Sequence, residues 1–373
     1  MTITPTPAQS IDSPAPHPSP RIALVSGYWG QNIGNAFFNL GGEYVLGRVF
    51  GDSRVAFIQD QPNYRTLHDK MKGNPETYVD FLTYLDIDCV VLQGPVLNAW
   101  MRVSWEKTFR ALRARGIRVI LLSCAFFKFT NAEIAAVKEF LEEFPPALIS
   151  TRDSRSFSIL KDWLPQVPKY DGIDSGFFLP RCVSPFATRA DRPYIAVNFD
   201  RYPEPELLSE APKGEGHVLR EIEIEGNRVV LATPRRLDRA AHRSKIRAYL
   251  GDLTDRRKLP DHFGDLRIVR TEHRVFPHMT HKIYRQPNST GSDDPWTYIH
   301  IYANARYTLS DRVHACVATL AYGHPAMLFT PSPRSALFGR LGLEDIGRRL
   351  VSLDPGLLEE EQEKEIEWLR RTV

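Results

Sequence analysis

Unbroken apolar runs constrain this chain more than any other feature. RIALV (21–25), VAFI (55–58), CVVL (89–92) and VILLSCAFF (119–127) show almost no alternation of polar and apolar positions. A strand with one wet face alternates with a period of two, so a strand without alternation is buried on both faces. A parallel sheet with helices packed above and below meets that requirement. The segments between the runs have helical spacing: AFFNLGGEYVLGRVF (36–50), a stretch around 76–85, WEKTFRALRARG (105–116), NAEIAAVKEFLEEF (131–144) and RDSRSFSILKDWL (152–164). Gly116 is the expected stop of the third and Asn131 the expected cap of the fourth. ALIS (147–150) adds a short strand.

The polar, proline-bearing CVSPFATRADRP (182–193) interrupts this alternation, and a second series follows. PYIAVNFD (193–200), NRVVLAT (227–233), LRIVRTEH (266–273), RYTLS (306–310) and AMLFT (326–330) read as strands. AAHRSKIRAYLGDL (240–253) and WTYIHIYANA (296–305) read as helices between them. The expectation is an α/β protein of two doubly wound, Rossmann-like domains, 21–181 and 194–355, joined by 182–193 and facing each other across a cleft. A length of 373 residues suits two such domains. The proline-rich residues 1–20 are expected to be a disordered tail. Residues 356–373 are expected to form a charged helix whose acidic and basic side chains are solvated, with Leu358, Ile366 and Leu369 available for packing.

Composition excludes several function classes. A formal net charge of +3 gives no footing for nucleic-acid binding. No apolar run reaches the roughly 18–20 residues of a membrane span, and the N-terminus lacks the apolar segment of a secretory signal, so a cytoplasmic location is expected. Cys89, Cys124, Cys182 and Cys316 form no CxxC pair and read as buried free thiols. HRVFPHMTH (273–281) has three histidines, but Pro277 breaks helical geometry and no metal is expected there. The basic stretch 235–258 reads as a solvated surface, with an anionic acceptor or a membrane surface as the other reading. No GxSxG, phosphate-binding loop or kinase signature is present.

Ligands of such folds sit at strand-to-helix junctions, where helix N-termini offer unpaired N–H groups. Three junctions carry polar chemistry. In SGYWGQNIGN (26–35), Gly34 belongs to a tight loop, while Asn32 and Asn35 either cap the next helix or meet a ligand. Gly41 and Gly42, costing about 2 kcal/mol relative to alanines within a helix, imply that something packs closely against it. In ISTRDSRSFSIL (149–160), Asp153 or Ser154 can cap, and Arg152 is either a surface ion-pair partner or a fork for a carboxylate or phosphate. In LSDRVHACVATLAYGHPAMLF (309–329), Ser310 or Asp311 can cap a buried helix whose first turn holds Arg312 and His314. Cations there oppose the helix dipole unless an anion is bound.

Together the three junctions resemble the polysaccharide pyruvyl transferase family. LSDRVHACVATLAYGHPAMLF is similar to its Arg-x-His segment, STRDSRSFSIL to its Arg-Asp signature, and SGYWGQNIGNAFF to its opening glycine-asparagine loop. Two positions depart: Asn35 stands where the family often has aspartate, and VVLQGPVLNAW (90–100) replaces a run of glycines. The resemblance implies a GT-B-like fold and a cytoplasmic enzyme, soluble or peripheral to the inner face of the membrane. It implies transfer of the pyruvyl group of phosphoenolpyruvate onto a sugar diol, free or lipid-linked, with release of phosphate and with no metal or organic cofactor. By the same resemblance Arg152, Arg312, Asn32, Gly34 and Asn35 bind substrate, and His314 is a general acid or a phosphate ligand. The donor would lie on the C-terminal domain and the acceptor on the N-terminal one. The alternatives are a nucleotide-sugar-dependent glycosyltransferase of the same fold, and a relative acting on a non-polysaccharide acceptor.

Overall fold

The computed structural model describes residues 19–30, 32–51, 53–58, 80–274, 286–329 and 333–373. Most of the expected tail, and residues 76–79 of the helix expected around 76–85, lie outside these residues, and the described remainder of the latter holds a 3-10 turn, Phe81–Tyr84, in place of an α-helix. The N-terminal unit is a six-stranded sheet built from β1 (Arg21–Val25), β2 (Arg54–Ile58), β3 (Cys89–Leu97), β4 (Arg118–Phe126), β5 (Leu148–Thr151) and β6 (Lys169–Asp171). Its order is β2-β1-β3-β4-β5-β6, and every pairing is parallel. The continuous apolar runs are explained by their two sets of neighbours. Ile22, Leu24, Cys89 and Val91 enter one core cluster, whereas Ala23, Val25, Val90 and Leu92 enter the cluster on the opposite face.

Helices α1 (Gly34–Phe50), α2 (Met101–Ala114), α3 (Asn131–Glu143) and α4 (Ser154–Leu160) cover that sheet. Asp153 caps α4 by accepting from the Ser156 N–H at 2.7 Å. The cap of α3 is Thr130, one residue earlier than expected, accepting from Glu133 N–H. The close packing expected of Gly41 and Gly42 is present. A Cβ on Gly41 would sit 1.8 Å from the Ser175 carbonyl oxygen, and one on Gly42 2.1 Å from the Gln93 amide oxygen.

In the C-terminal unit, β7 (Tyr194–Asn198), β12 (Leu266–Thr271), β13 (Tyr307–Ser310) and β14 (Ala326–Leu328) form the parallel part of a second sheet, with the short β11 (His262–Phe263) antiparallel at its edge. NRVVLAT is a strand but belongs elsewhere. As β10 (Asn227–Pro234) it pairs antiparallel with β8 (Glu206–Leu208) and β9 (His217–Ile224) in a separate three-stranded sheet. The helix expected over 240–253 is two helices, α5 (Arg235–Arg243) and α6 (Lys245–Thr254). They break at Ser244, whose extended backbone (φ −166°, ψ 159°) lets its hydroxyl accept from Arg247 N–H and cap α6. Helices α7 (Trp296–Asn304) and α8 (Val313–Ala321) complete the unit. The result is two Rossmann-like units in a GT-B-like arrangement, with no helix or strand in the connecting residues 183–193. Among the described residues, no helix is long and apolar enough to cross a membrane. Cys89, Cys124 and Cys316 are buried free thiols, and Cys182, free as well, is exposed.

The junction between units is packed rather than open. Ile33, Phe37 and Leu40 of the N-terminal unit share a cluster with Tyr298, Tyr302, Ala315 and Ala318 of the C-terminal one. Helix α9 (Pro355–Thr372) returns the chain to the first sheet: Gln362 Nε2 donates to Phe177 O at 2.7 Å and Arg370 Nε to Arg48 O at 2.7 Å. This corrects the expectation of a solvated charge run, because Glu361, Gln362 and Glu365 are buried along with Leu358, Ile366 and Leu369.

Glu365 makes the docking of α9 sensitive to pH. Its carboxyl meets the Ser150 hydroxyl and the Ile173 N–H, and burial pushes its pKa up to about 7 from an ordinary 4.5. The folded value is the higher, so the contribution of Glu365 to stability is complete below about pH 4.5 and is lost as pH rises through about 7. The difference amounts to roughly 3 kcal/mol. Glu365→Gln keeps a donor and an acceptor and cannot ionise. Its melting temperature is expected to exceed wild type by about 5 °C at pH 8 and to match it at pH 4.5, as read by scanning calorimetry.

Candidate functional site

Both sheets have a point where successive strands leave in opposite directions, between β1 and β3 in the first and between β7 and β13 in the second. Loops leaving such neighbours diverge and open a crevice at the carboxyl edge. Residues 26–33 follow β1, and Asp311 and Arg312 follow β13, so the two crevices meet at the junction of the units.

The first loop is held from behind. Asn39 of α1 exchanges hydrogen bonds with the backbone of Gly27, accepting from its N–H at 3.3 Å and donating to its carbonyl at 2.9 Å. Ile33, with no side-chain cap bond, occupies the N-cap of α1, so neither Asn32 nor Asn35 caps it. Asn32 Nδ2 donates to Asn35 Oδ1 at 2.9 Å, and Asn32 Oδ1 accepts from Arg312 Nη2 at 2.8 Å across the junction. Gly34 permits this approach. A Cβ there would lie 3.0 Å from His314 Cβ and 3.1 Å from His273 Nδ1, tighter than side chains normally tolerate.

Arg312 is itself the N-cap of α8 and makes no side-chain cap bond, while the Ser310 hydroxyl accepts from the Arg312 N–H at 2.8 Å. Asp311 turns away and accepts from the N–H groups of Asp200, Arg201 and Tyr202, between 2.7 and 3.1 Å, fixing the loop after β7. That loop delivers Asp200, 3.2 Å from Arg312 Nε. Arg312 is thus oriented by one residue from each unit.

Arg152 is not the surface residue that an ordinary ion pair would make it. It is 2% exposed, and its Nη1 donates to Asp174 Oδ2 at 2.9 Å, with Asp174 fully buried. The same carboxylate oxygen lies 3.5 Å from His314 Nε2. Burial pushes Asp174 up, but His314 and Arg152 outweigh it and hold the carboxyl below the usual range. Burial pushes His314 below the ordinary histidine value against the opposing pull of Asp174, leaving a neutral imidazole at neutral pH. His314 Nδ1 lies on the side of Gly34, 3.2 Å from the position a Cβ would take there.

All six residues singled out from the sequence, Asn32, Gly34, Asn35, Arg152, Arg312 and His314, therefore meet at one place, a cavity of about 70 Å³ also lined by Phe38, Pro95, His273 and Arg334. Sequence reasoning missed four contributors. His273 follows β12 and donates its backbone N–H to Asp200 Oδ1, while its Nε2 lies 2.8 Å from the Tyr302 hydroxyl in a buried chain continuing to Thr271 and Asn198. Burial, Arg312 and His314 together hold it well below the ordinary histidine value. Its neighbours His278 and His281 lie outside the described residues. Asp174 and Asp200 orient the arginines, and each follows a strand end as a lone acid without a motif. Arg334 sits in the segment Pro333–Leu341, which has no strand-to-helix signal, with its guanidinium 5.0 Å from the Phe127 ring centre. Burial and the neighbouring Arg152, Arg312 and Arg274 push its pKa down to about 10.

A second, larger cavity of about 520 Å³ opens beside Arg334, at Ser335. Phe199, Tyr202 and Phe329 form its apolar wall, and Asp238, Glu344, Asp345 and Arg220 its polar one.

No family model and no curated protein matches the chain. Solved structures with a similar layout include a UDP-N-acetylglucosamine 2-epimerase (8% identical, covering 94% of this chain and 90% of that one, TM-score 0.49). The Methanocaldococcus jannaschii UDP-GlcNAc 2-epimerase in complex with UDP-GlcNAc and UDP is 10% identical, covers 93% and 92%, and has a TM-score of 0.44. The glycotransferase of kitacinnamycin is 10% identical, covers 95% of both chains, and has a TM-score of 0.39. At this level of likeness the neighbours say nothing of this chain's substrate.

Proposed function

We propose that the chain is a pyruvyltransferase that moves the pyruvyl group of phosphoenolpyruvate onto a sugar diol. One observation carries this reading: three guanidiniums, from Arg152, Arg312 and Arg334, line one small cavity, where burial first and the neighbouring cations second push the Arg334 pKa down. Such mutual repulsion is relieved by a compact, multiply charged anion, and planar forks from several sides suit its carboxylate and phosphate. The acids nearby balance part of this charge but leave each fork with N–H groups to donate, because Asp174 pairs through one Arg152 nitrogen and Asp200 lies against Arg312 Nε. Asp174, Asp200 and Asp311 are almost fully buried and turned toward the arginines or backbone N–H groups.

In this reading a proton adds to the methylene carbon of the donor, and C2 gains oxocarbenium character. One acceptor hydroxyl then forms a C–O bond to C2. The C2–phosphate oxygen bond breaks, and the second hydroxyl closes the ketal. The two hydroxyl protons balance the new methyl group and the departing phosphate. His314, neutral and backed by Asp174, enters as the acceptor of a hydroxyl proton through Nδ1 and can return it to the phosphate. Since the neutral form is the active one and its pKa lies below the usual value, kcat/KM is expected to stay level above neutral pH. It should fall on acidification through the His314 pKa. The residual activity of His314→Gln should lack that acid limb.

The larger cavity beside Arg334 favours one other reading, a nucleotide-sugar donor, because aromatic walls and carboxylates suit a base and ribose hydroxyls. Thermal shift separates the two. Phosphoenolpyruvate at millimolar concentration should raise the melting temperature of wild type and not of Arg312→Gln. Stabilisation by UDP-sugars alone would transfer the assignment to the glycosyltransferase reading.

A further inference from the structure

We propose that α5 and α6 form a docking surface for an anionic lipid bilayer, independently of the reaction catalysed. Ile246, Tyr249, Leu250 and Leu253 lie at i, i+3, i+4 and i+7 of α6, the spacing of a single apolar stripe. Such a stripe ordinarily faces a core. Here it faces outward, with exposures of 73%, 45%, 53% and 42%, while the small Ala248 and Gly251 lie on the inner side. Beside it Arg235, Arg236, Arg239, Arg243 and Arg247, all exposed, line a groove of about 460 Å³ between the two helices. Among the described residues none of these five forms an ion pair, in contrast to surface arginines such as Arg110 and Arg228, which are held by glutamates. The helices carry two acids, and neither offsets the outward charge: Asp238 lies against His242 and lines the larger cavity, and Asp252 is half-buried.

An exposed apolar row flanked by unpaired cations matches a bilayer surface, whose acyl boundary takes the row while anionic headgroups meet the arginines. A nucleic acid would use the arginines and leave the row in water. A second copy docked about a twofold axis would set the arginines against each other. On this surface the protein would hold the cavity lined by Asp238 and His242, on the adjacent helix, near a membrane-borne substrate.

The test is vesicle flotation of the full chain with phosphatidylglycerol–phosphatidylcholine vesicles and with phosphatidylcholine alone. Flotation with the anionic vesicles only, weakening as salt is raised, is expected. Ile246→Ser with Leu250→Ser should reduce binding at least about tenfold with charge unchanged. Arg239→Gln, Arg243→Gln and Arg247→Gln together should reduce it by about the same factor. Hydrogen exchange of the wild type should slow across 245–254 when anionic vesicles are added, a readout needing no variant. Absence of flotation, equal flotation with neutral vesicles, or binding unaffected by both variants would overturn the proposal. So would a dimer broken by the serine pair, or binding of an oligonucleotide in place of vesicles.

Discussion

His314→Ala and Arg312→Gln are each expected to lower phosphate release from phosphoenolpyruvate by about 100- to 10,000-fold, the range for removing a proton-transfer group or a charge-stabilising donor. The two losses should divide differently between kcat and KM. His314 contributes to proton movement, so its loss should fall mainly on kcat. Arg312 grips the donor in ground and transition states alike, so its loss should raise KM for phosphoenolpyruvate as well. Arg312 also joins the units through Asn32 Oδ1 and Asp200, and the glutamine retains a hydrogen-bonding amide there. Steady-state phosphate release, with a melting curve for each variant, checks this outcome. Near-wild-type activity in either folded variant would contradict the assigned site.

Arg152→Ala should destabilise the protein by about 3–5 kcal/mol, because it leaves the Asp174 carboxylate buried without its guanidinium. His314, 3.5 Å from the same oxygen, offsets that charge only by taking up a proton, which its burial opposes. Changing the acid too removes the unpaired charge, and asparagine can still accept the Gly176 N–H that Asp174 Oδ1 now accepts at 2.9 Å. The double variant Arg152→Met with Asp174→Asn is therefore expected to recover most of the lost stability and none of the activity. Urea denaturation at pH 7.5 measures both differences. If Arg152→Ala alone unfolded at the wild-type midpoint, the pair would not be the buried interaction described above.

What the sequence made legible follows from local physics. Residues 21–25 or 89–92 bury side chains on both faces, and that alone distinguishes them as strands of a covered sheet. Polar residues at the ends of such strands stand out against apolar surroundings, which is why Arg152, Arg312 and His314 could be named before their meeting place was known. Contacts that depend on the return of distant chain could not be read. The burial of Glu365 is set by α9 crossing to the first sheet, and acidic residues along a helix look the same whether solvated or inserted. β10 resembles a parallel strand because its apolar run is short, and only its antiparallel neighbours separate it from the main sheet. The break at Ser244 leaves the helical spacing almost undisturbed across α5 and α6. His273 reaches the cavity from a loop and Arg334 from the start of a 3-10 helix, where no periodicity marks them.

The most direct measurement of the proposed chemistry is carbon-13 NMR of phosphoenolpyruvate labelled at C2, incubated with the protein and a panel of glycans bearing neighbouring hydroxyls. Conversion of the enol signal to a ketal carbon, with equimolar phosphate released only when an acceptor is present, is the expected result. An unchanged enol signal across the panel, alongside turnover of a nucleotide sugar by the same preparation, would contradict it.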